Sequence, residues 1–187
     1  LGAAVTGFAL APEAGPSPFV ALRPAIASRI GDLRDVAAVQ AAVQAARPEI
    51  VLHLAAQALV GRGYRDPEGT FASNVTGTIH LMQAMRGAGV RAALMITSDK
   101  VYRNDNQGRA FRENDPLGGH DPYSASKAAC EIAVASWRAS FGTEIGTIAT
   151  ARAGNVIGGG DFGAERLIPD LVRARMAGET LIIRRPD

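Results

Sequence analysis

The sequence predicts an α/β protein: a parallel sheet with covering helices. Short apolar runs alternate with helix-forming stretches along much of the chain. One such run, Met95-Ile96-Thr97-Ser98-Asp99-Lys100, ends abruptly in hydroxyls, a carboxylate and an amine, as a buried parallel strand does when it delivers polar groups at its C-terminal end. A little later Asp121-Pro122-Tyr123 opens what reads as a helix, with proline where the first turn tolerates it.

In chain order, residues 3–10 read as a strand, and Pro12, Gly15, Pro16 and Pro18 then break the pattern into a loop. A second strand covers 25–30. Asp35 caps an alanine- and glutamine-rich helix that continues through Ala46 and is stopped by Pro48. Ile50–Leu54 is a short continuous apolar strand. It carries His53, read as a hydrogen-bonded core histidine, and it runs into small residues, Ala55 and Ala56, that let a flat ring or a ribose approach the backbone. Nothing pairs His53 with other ligands, so no metal site is expected.

A long helix is expected over 67–87, with Phe71, Val75, Ile79 and Met82 forming its inward stripe. The strand 92–98 leads into a polar loop, 103–120, long enough to be functional. The helix from Pro122 reaches about Phe141, and a buried strand covers 144–151. Residues 152–163 are glycine-rich and read either as a phosphate cradle or as a flexible turn. An amphipathic helix over 167–178 follows, and Leu181–Ile183 begins a last strand.

Composition narrows the class. The 187 residues are 47% apolar and 20% charged, a globular balance, and 20 basic against 18 acidic side chains give no case for nucleic acid. No apolar run is long enough for a membrane span, and the N-terminus shows no secretory signal pattern. One cysteine, Cys130, excludes an internal disulfide and fits a reducing, cytoplasmic compartment as a small packing residue. Lys100 and Lys127 are the only lysines, and both fall in the two polar deliveries.

Tyr123 and Lys127 are four apart and so share a helix face. An ammonium beside a phenol favours the phenolate, and a phenol so tuned takes a proton from an alcohol near neutral pH. The plainer readings are a surface contact for the Tyr/Lys pair and a turn for Ser98-Asp99.

These motifs, with the runs Phe111–Tyr123 and Ala151–Phe162 and with Tyr64-Arg65-Asp66-Pro67, resemble the extended short-chain dehydrogenase/reductase superfamily, and within it the nucleotide-sugar 4,6-dehydratases of the CDP-glucose type. The resemblance covers nearly the whole chain. It implies a Rossmann-like, doubly wound parallel sheet, with 1–157 as the NAD-binding domain and 158–187 as the start of the substrate-binding region. No Gly-x-x-Gly-x-x-Gly turn occurs, and the resemblance places Leu1 at the second strand of the fold. The chain is therefore expected to be a fragment lacking the first βα unit and most of the small region, the alternative being a diverged short homologue that has lost the cofactor.

The resemblance also implies roles. Tyr123 takes the proton of the sugar C4 hydroxyl as hydride passes to NAD, Lys127 tunes the tyrosine and bonds the nicotinamide ribose, and Ser98 bonds the same hydroxyl. Asp99 protonates the departing C6 hydroxyl. Lys100 stands where dTDP-glucose enzymes carry a glutamate base, and acts either as the base itself or as an electrostatic stabiliser. Epimerases of the superfamily usually have small residues at both positions. Asp32 and Leu33 match the adenine-facing residues, and Leu54, Ala55, Ala56 and Ser73 the wall beside the ribose and nicotinamide. Asn155, Arg166 and Leu167 match substrate contacts. In Val60–Tyr64 the family tends to carry Arg and Ser where this chain has Gly61 and Gly63, which puts contacts near Arg62 in doubt. A homodimer through the 67–87 and 122–141 helices is implied as well. The open alternatives are a dehydratase or epimerase of another nucleotide sugar, and a nucleotide-binding or dimerising module without turnover.

Overall fold

The computed structural model describes residues 2–12 and 15–183. The chain divides into two compact units, Leu1–Leu10 with Ile26–Gly154, and Ala11–Ala25 with Asn155–Asp187.

The first unit carries five parallel strands in two sheets. β1 (Thr6–Ala9) pairs with β2 (Ala27–Ile30). β3 (Ile50–His53), β4 (Ala92–Ile96) and β5 (Thr147–Ala151) form the second sheet in that order, with Ile50 opposite Ala92 and Ala92 opposite Thr147. α2 (Val36–Ala46) connects β2 to β3. Between β3 and β4 lie α3 (Val60–Arg65), α4 (Pro67–Phe71), a π-turn (Ala72–Thr76) and α5 (Gly77–Met85), and α6 (Pro122–Ile145) joins β4 to β5.

One hydrophobic core joins α2, α5 and α6 to the sheet: Val39 and Val43, Leu81, Met82 and Met85, and Val134 and Ile145 pack on Ala93, Met95 and Ile148. Burying each large side chain contributes roughly 1.5–3 kcal/mol. The alternation along the strands shows the single cover: Val51 and His53 face in, while Ile50, Leu52 and Leu54 are exposed. No described helix is long and apolar enough to cross a membrane.

Several boundaries differ from the sequence expectation, each for a local reason. β1 is shorter than 3–10, and the first loop contains a helix. Pro18, read as a breaker, starts α1 (Pro18–Leu22) at its first position, after Ser17 caps it by accepting from the Val20 amide at 3.2 Å. α3, built on a glycine-containing stretch, was not foreseen. α6 runs past Phe141 to Ile145, although Phe141 itself departs from helical geometry. β5 begins only at Thr147 because Gly146, at φ +67°, approaches the Val90 carbonyl so closely that a Cβ would lie 2.4 Å from its oxygen. Leu181–Ile183 forms no strand, and the residues after it lie outside those described.

The inward stripe of the 67–85 helical run is also displaced. Thr70, Asn74, Thr78, Leu81, Met82 and Met85 are buried, whereas Phe71 is exposed and Val75 and Ile79 are only half-buried. The interior positions on the first part of this run belong to polar side chains with partners inside, which apolar periodicity does not detect.

The second unit contains α1 and α7 (Leu167–Ala177), which ends on Gly178 at φ +70°. Its glycine-rich segment is held as a turn. Asp161 accepts from the Gly163 amide at 2.9 Å and from Arg166 Nη1 at 3.1 Å, and Arg173 donates to the Phe162 and Gly163 carbonyls at 2.9 and 3.1 Å.

Candidate active site

The start of α6 is fixed by its sequence. Asp121 caps it, accepting from the Ser124 amide at 3.0 Å and the Ser124 hydroxyl at 2.6 Å, and Pro122 fills the first helical position. Gly119 lets the preceding loop lie against this first turn, since a Cβ there would be 2.3 Å from the Ala125 nitrogen. Gly63 of α3 faces the same turn, and a Cβ on it would lie 3.2 Å from the Tyr123 nitrogen. Glycine in place of the expected serine thus leaves room beside the Tyr123 backbone.

Lys127, one turn after the half-buried Tyr123, is only 6% exposed. Its Nζ donates to the Ile96 carbonyl at 3.0 Å, at the C-terminal end of β4 and two residues before Ser98. Burial pulls the Lys127 ammonium below the usual lysine range. The Tyr123 helix and the Ser98–Asp99–Lys100 row are thereby brought to the same strand end, where open α/β sheets bind ligands.

That row forms a tight 3₁₀ turn. The Ser98 hydroxyl caps it, accepting from the Lys100 amide at 3.2 Å and donating to Asp99 Oδ1 at 3.2 Å. Lys100 Nζ lies 3.3 Å from the same Asp99 oxygen, and both side chains are exposed while Ser98 is buried. The Asp99 amide donates to the Ala153 carbonyl at 3.0 Å.

Behind the two halves lies a buried polar network. His53 Nε2 is 2.9 Å from the Thr78 hydroxyl, which gives its own proton to the Asn74 carbonyl at 2.5 Å, so the histidine is the donor. Cys130 also donates to the Asn74 carbonyl, at 3.0 Å. The Asn74 side chain, on the π-turn, accepts from the Gln57 amide at 2.7 Å and donates to the Ser126 hydroxyl at 2.8 Å. Burial, with the Lys127 charge as a lesser cause, pushes His53 down to about 4. His53 is thus a hydrogen-bonded core histidine, as its sequence context suggested. Cys130 does more than pack, because its thiol satisfies a π-turn carbonyl.

The remaining candidates spread out. Asp32 and Leu33 follow β2. The Asp32 carboxylate is held by Arg34 through Nε, Nη2 and the backbone amide, which lowers its pKa. Leu33 packs against Gly77, and its carbonyl bonds His80 Nδ1 at 2.8 Å. Leu54 and Ala55 are exposed at the end of β3, while Ala56 and Ser73 are half-buried. Asn155, Arg166 and Leu167 belong to the second unit and are exposed there.

Sequence reasoning missed Thr97, Glu131 and Arg152 as a group. Glu131 is four residues after Lys127, and that helical spacing was the available signal.

The family model for the NAD dependent epimerase/dehydratase family matches residues 7–185. The chain belongs to that family. Among curated members, the CDP-glucose 4,6-dehydratase of Salmonella typhimurium is 42% identical over 195 residues, covering 100% of this chain and 54% of that protein. The dTDP-glucose 4,6-dehydratase of Xanthomonas campestris is 31% identical over 160 residues, covering 81% and 44%. Among solved structures, the dTDP-glucose 4,6-dehydratase of Streptomyces venezuelae with NAD bound superposes with a TM-score of 0.75 at 27% identity, covering 87% of this chain and 48% of that one. The UDP-glucose 4-epimerase of Thermus thermophilus with NAD gives a TM-score of 0.68 at 32% identity, covering 76% and 46%. The chain thus has the Rossmann-like architecture of this epimerase/dehydratase family and spans about half the length of the curated relatives it matches.

Proposed function

We propose that the whole protein dehydrates a nucleotide sugar, converting CDP-glucose to CDP-4-keto-6-deoxyglucose with NAD as its recycled cofactor. The observation that carries this reading is the meeting of two polar groups at one strand end, Lys127 anchored on the Ile96 carbonyl and the Ser98–Asp99–Lys100 turn directly after it. The identity to a CDP-glucose 4,6-dehydratase supports the choice of nucleotide.

The residues present fit part of NAD. Lys127 has a single described hydrogen bond, so its remaining protons are available to a ribose. Ala55 and Ala56 at the end of β3 leave flat space, and the Asp32 carboxylate, steadied by Arg34, suits an adenine edge. No glycine turn of the pyrophosphate-binding kind occurs in the 187 residues. Bound NAD would supply the hydride acceptor at C4 and the donor at C6.

On this reading Tyr123 removes the C4 hydroxyl proton, with Lys127 stabilising its phenolate and Ser98 bonding the same oxygen. The resulting ketone acidifies the C5 hydrogen. Lys100 Nζ and Asp99 Oδ1 lie 3.3 Å apart, and a proton passed from the ammonium to the carboxylate within that pair lets the amine take the C5 proton while Asp99 gives its proton to the departing C6 hydroxyl, so that water leaves and the pair regains its starting charges. The first unit would serve as the cofactor-binding domain, and the second, with Asn155, Arg166 and Leu167, as the start of the nucleotide-binding part. Exposed Phe71 and Ile132 support a homodimer through the 67–87 and 122–141 helices.

The test is to incubate the protein made from its whole reading frame with CDP-, dTDP-, UDP- and GDP-glucose. A product that absorbs in alkali, formed fastest from CDP-glucose, is expected. A C4-epimerised sugar, or a faster reaction with another nucleotide, would overturn the assignment.

A further inference from the structure

We propose that Glu131 is a positioning residue for this site, acting through Thr97 and Arg152 and not on substrate. The proposal rests on the dehydratase reading above.

Glu131 lies on α6 one turn beyond Lys127 and is 6% exposed. A carboxylate so buried is costly unless each lone pair finds a donor. Here four donors converge on it. Oε1 accepts from the Thr97 hydroxyl at 2.5 Å and from Arg152 Nε at 3.1 Å. Oε2 accepts from the Thr150 hydroxyl at 2.9 Å and from Arg152 Nη2 at 3.1 Å. Burial alone would raise its pKa, but the bonds from Arg152, Thr97 and Thr150 outweigh burial and hold it below the ordinary value. The group therefore stays ionised and fully bonded.

The donors sit at the chain positions that aim the proposed catalytic turn. Thr97 immediately precedes Ser98. Its amide donates to the Ala151 carbonyl at 2.9 Å, and the Asp99 amide donates to the Ala153 carbonyl at 3.0 Å, with Arg152 between those two carbonyls. Glu131 thus fastens the segment 97–99 to the segment 151–153 and both to the helix that carries Tyr123 and Lys127.

The same arginine reaches the loop between the two halves of the site. Its Nη1 donates to the Glu113 carbonyl at 2.9 Å, and its guanidinium lies 4.8 Å from the Tyr102 ring centroid. Tyr102 in turn stacks on Phe111 at 4.6 Å. A buried ion pair is weak evidence for stability, because well-packed apolar groups of the same volume are often as stable. What it fixes here is the register of three polar segments.

The test uses the full-length protein with CDP-glucose as the probe. Thr97→Val removes one hydroxyl and leaves the Glu131–Arg152 pair in place. It is expected to lower kcat by about tenfold to a hundredfold, the scale of a misplacement near 1 Å, with KM changed by less than about twofold. Thr97→Ser, which keeps the hydroxyl, should recover most of that rate. Glu131→Gln should lower kcat at least as far, and the double variant Thr97→Val/Glu131→Gln no further than Glu131→Gln alone, because the Thr97 hydroxyl acts through Glu131.

Melting curves establish that each variant is folded at the assay temperature, and either folded single variant decides. A folded variant with kcat within about twofold of the parent, or one that raises KM alone, overturns the positioning role. Tyr123→Phe separates this from the underlying reading. If it retains the parent rate, the site assignment fails and the proposal falls with it. If it is inactive while Thr97→Val is fully active, only the role of Glu131 is lost.

Discussion

Replacing His53 by glutamine should remove a defined part of the acid sensitivity of the fold. His53 is 6% exposed at the end of β3 and holds a proton on Nε2 for the Thr78 hydroxyl. Its native pKa is about 4, against 6.5 for a free histidine, because burial and then the Lys127 ammonium disfavour the imidazolium. Between those values the unfolded chain binds a proton that the native state refuses. Stability is therefore complete above about pH 6.5 and falls as the pH drops, until the loss is full near the native value. At 1.36 kcal/mol per pH unit the whole loss is about 3 kcal/mol, and by about pH 5 it has reached about 2 kcal/mol. Glutamine can offer its amide where Nε2 stood and does not titrate. Urea unfolding of parent and variant at about pH 7 and pH 5 measures the difference. The parent should lose about 2 kcal/mol more than His53→Gln over that interval. Parallel losses would refute the buried, neutral His53 and the electrostatic closeness to Lys127 that goes with it.

Three other outcomes follow from the site geometry. Gly119→Ala places a Cβ 2.3 Å from the Ala125 nitrogen, against backbone that cannot rotate away. It should cost about 1–3 kcal/mol by thermal melting and displace the loop from the start of α6. Asp121→Ala removes the cap on the Ser124 amide and should cost about 1 kcal/mol, and an unchanged melting temperature would count against the cap. The 187-residue chain made by itself exposes Ile50, Leu52 and Leu54 beside an edge of β3 that pairs with no other described strand, and is expected to associate in size-exclusion chromatography. A monodisperse monomer with a sharp melt would contradict that.

Much of the fold was legible because its signals are local. Asp35 caps α2 and the helix ends at Ala46, just before Pro48, as the pattern suggested, and α7 matches its amphipathic spacing. The strands β3 and β4 were visible as apolar runs, β3 leading into small residues and β4 into polar groups. The candidate site was legible where motif and position coincide, at Ser98–Lys100 and at Tyr123 with Lys127. What sequence did not disclose depends on long-range pairing. The interior of the 67–85 run is polar at Thr70, Asn74 and Thr78 because His53, Gln57, Ser126 and Cys130, distant in sequence, complete their hydrogen bonds. Glu131 drew no reading from the sequence because Arg152 and the two threonines that bond it lie on other elements. Pro18 was misread because a proline ends one element and begins another with the same residue, and only the Ser17 cap tells which.

The central claim is that the groups gathered at the end of β4 oxidise C4 and expel the C6 hydroxyl of one bound hexose. Its most direct test is CDP-glucose deuterated at C4, given to the full-length protein, with the product analysed by mass spectrometry and NMR. A 4-keto-6-deoxy product carrying the deuterium on its C6 methyl group is the predicted result. A sugar inverted at C4 with its C6 hydroxyl intact would contradict the account.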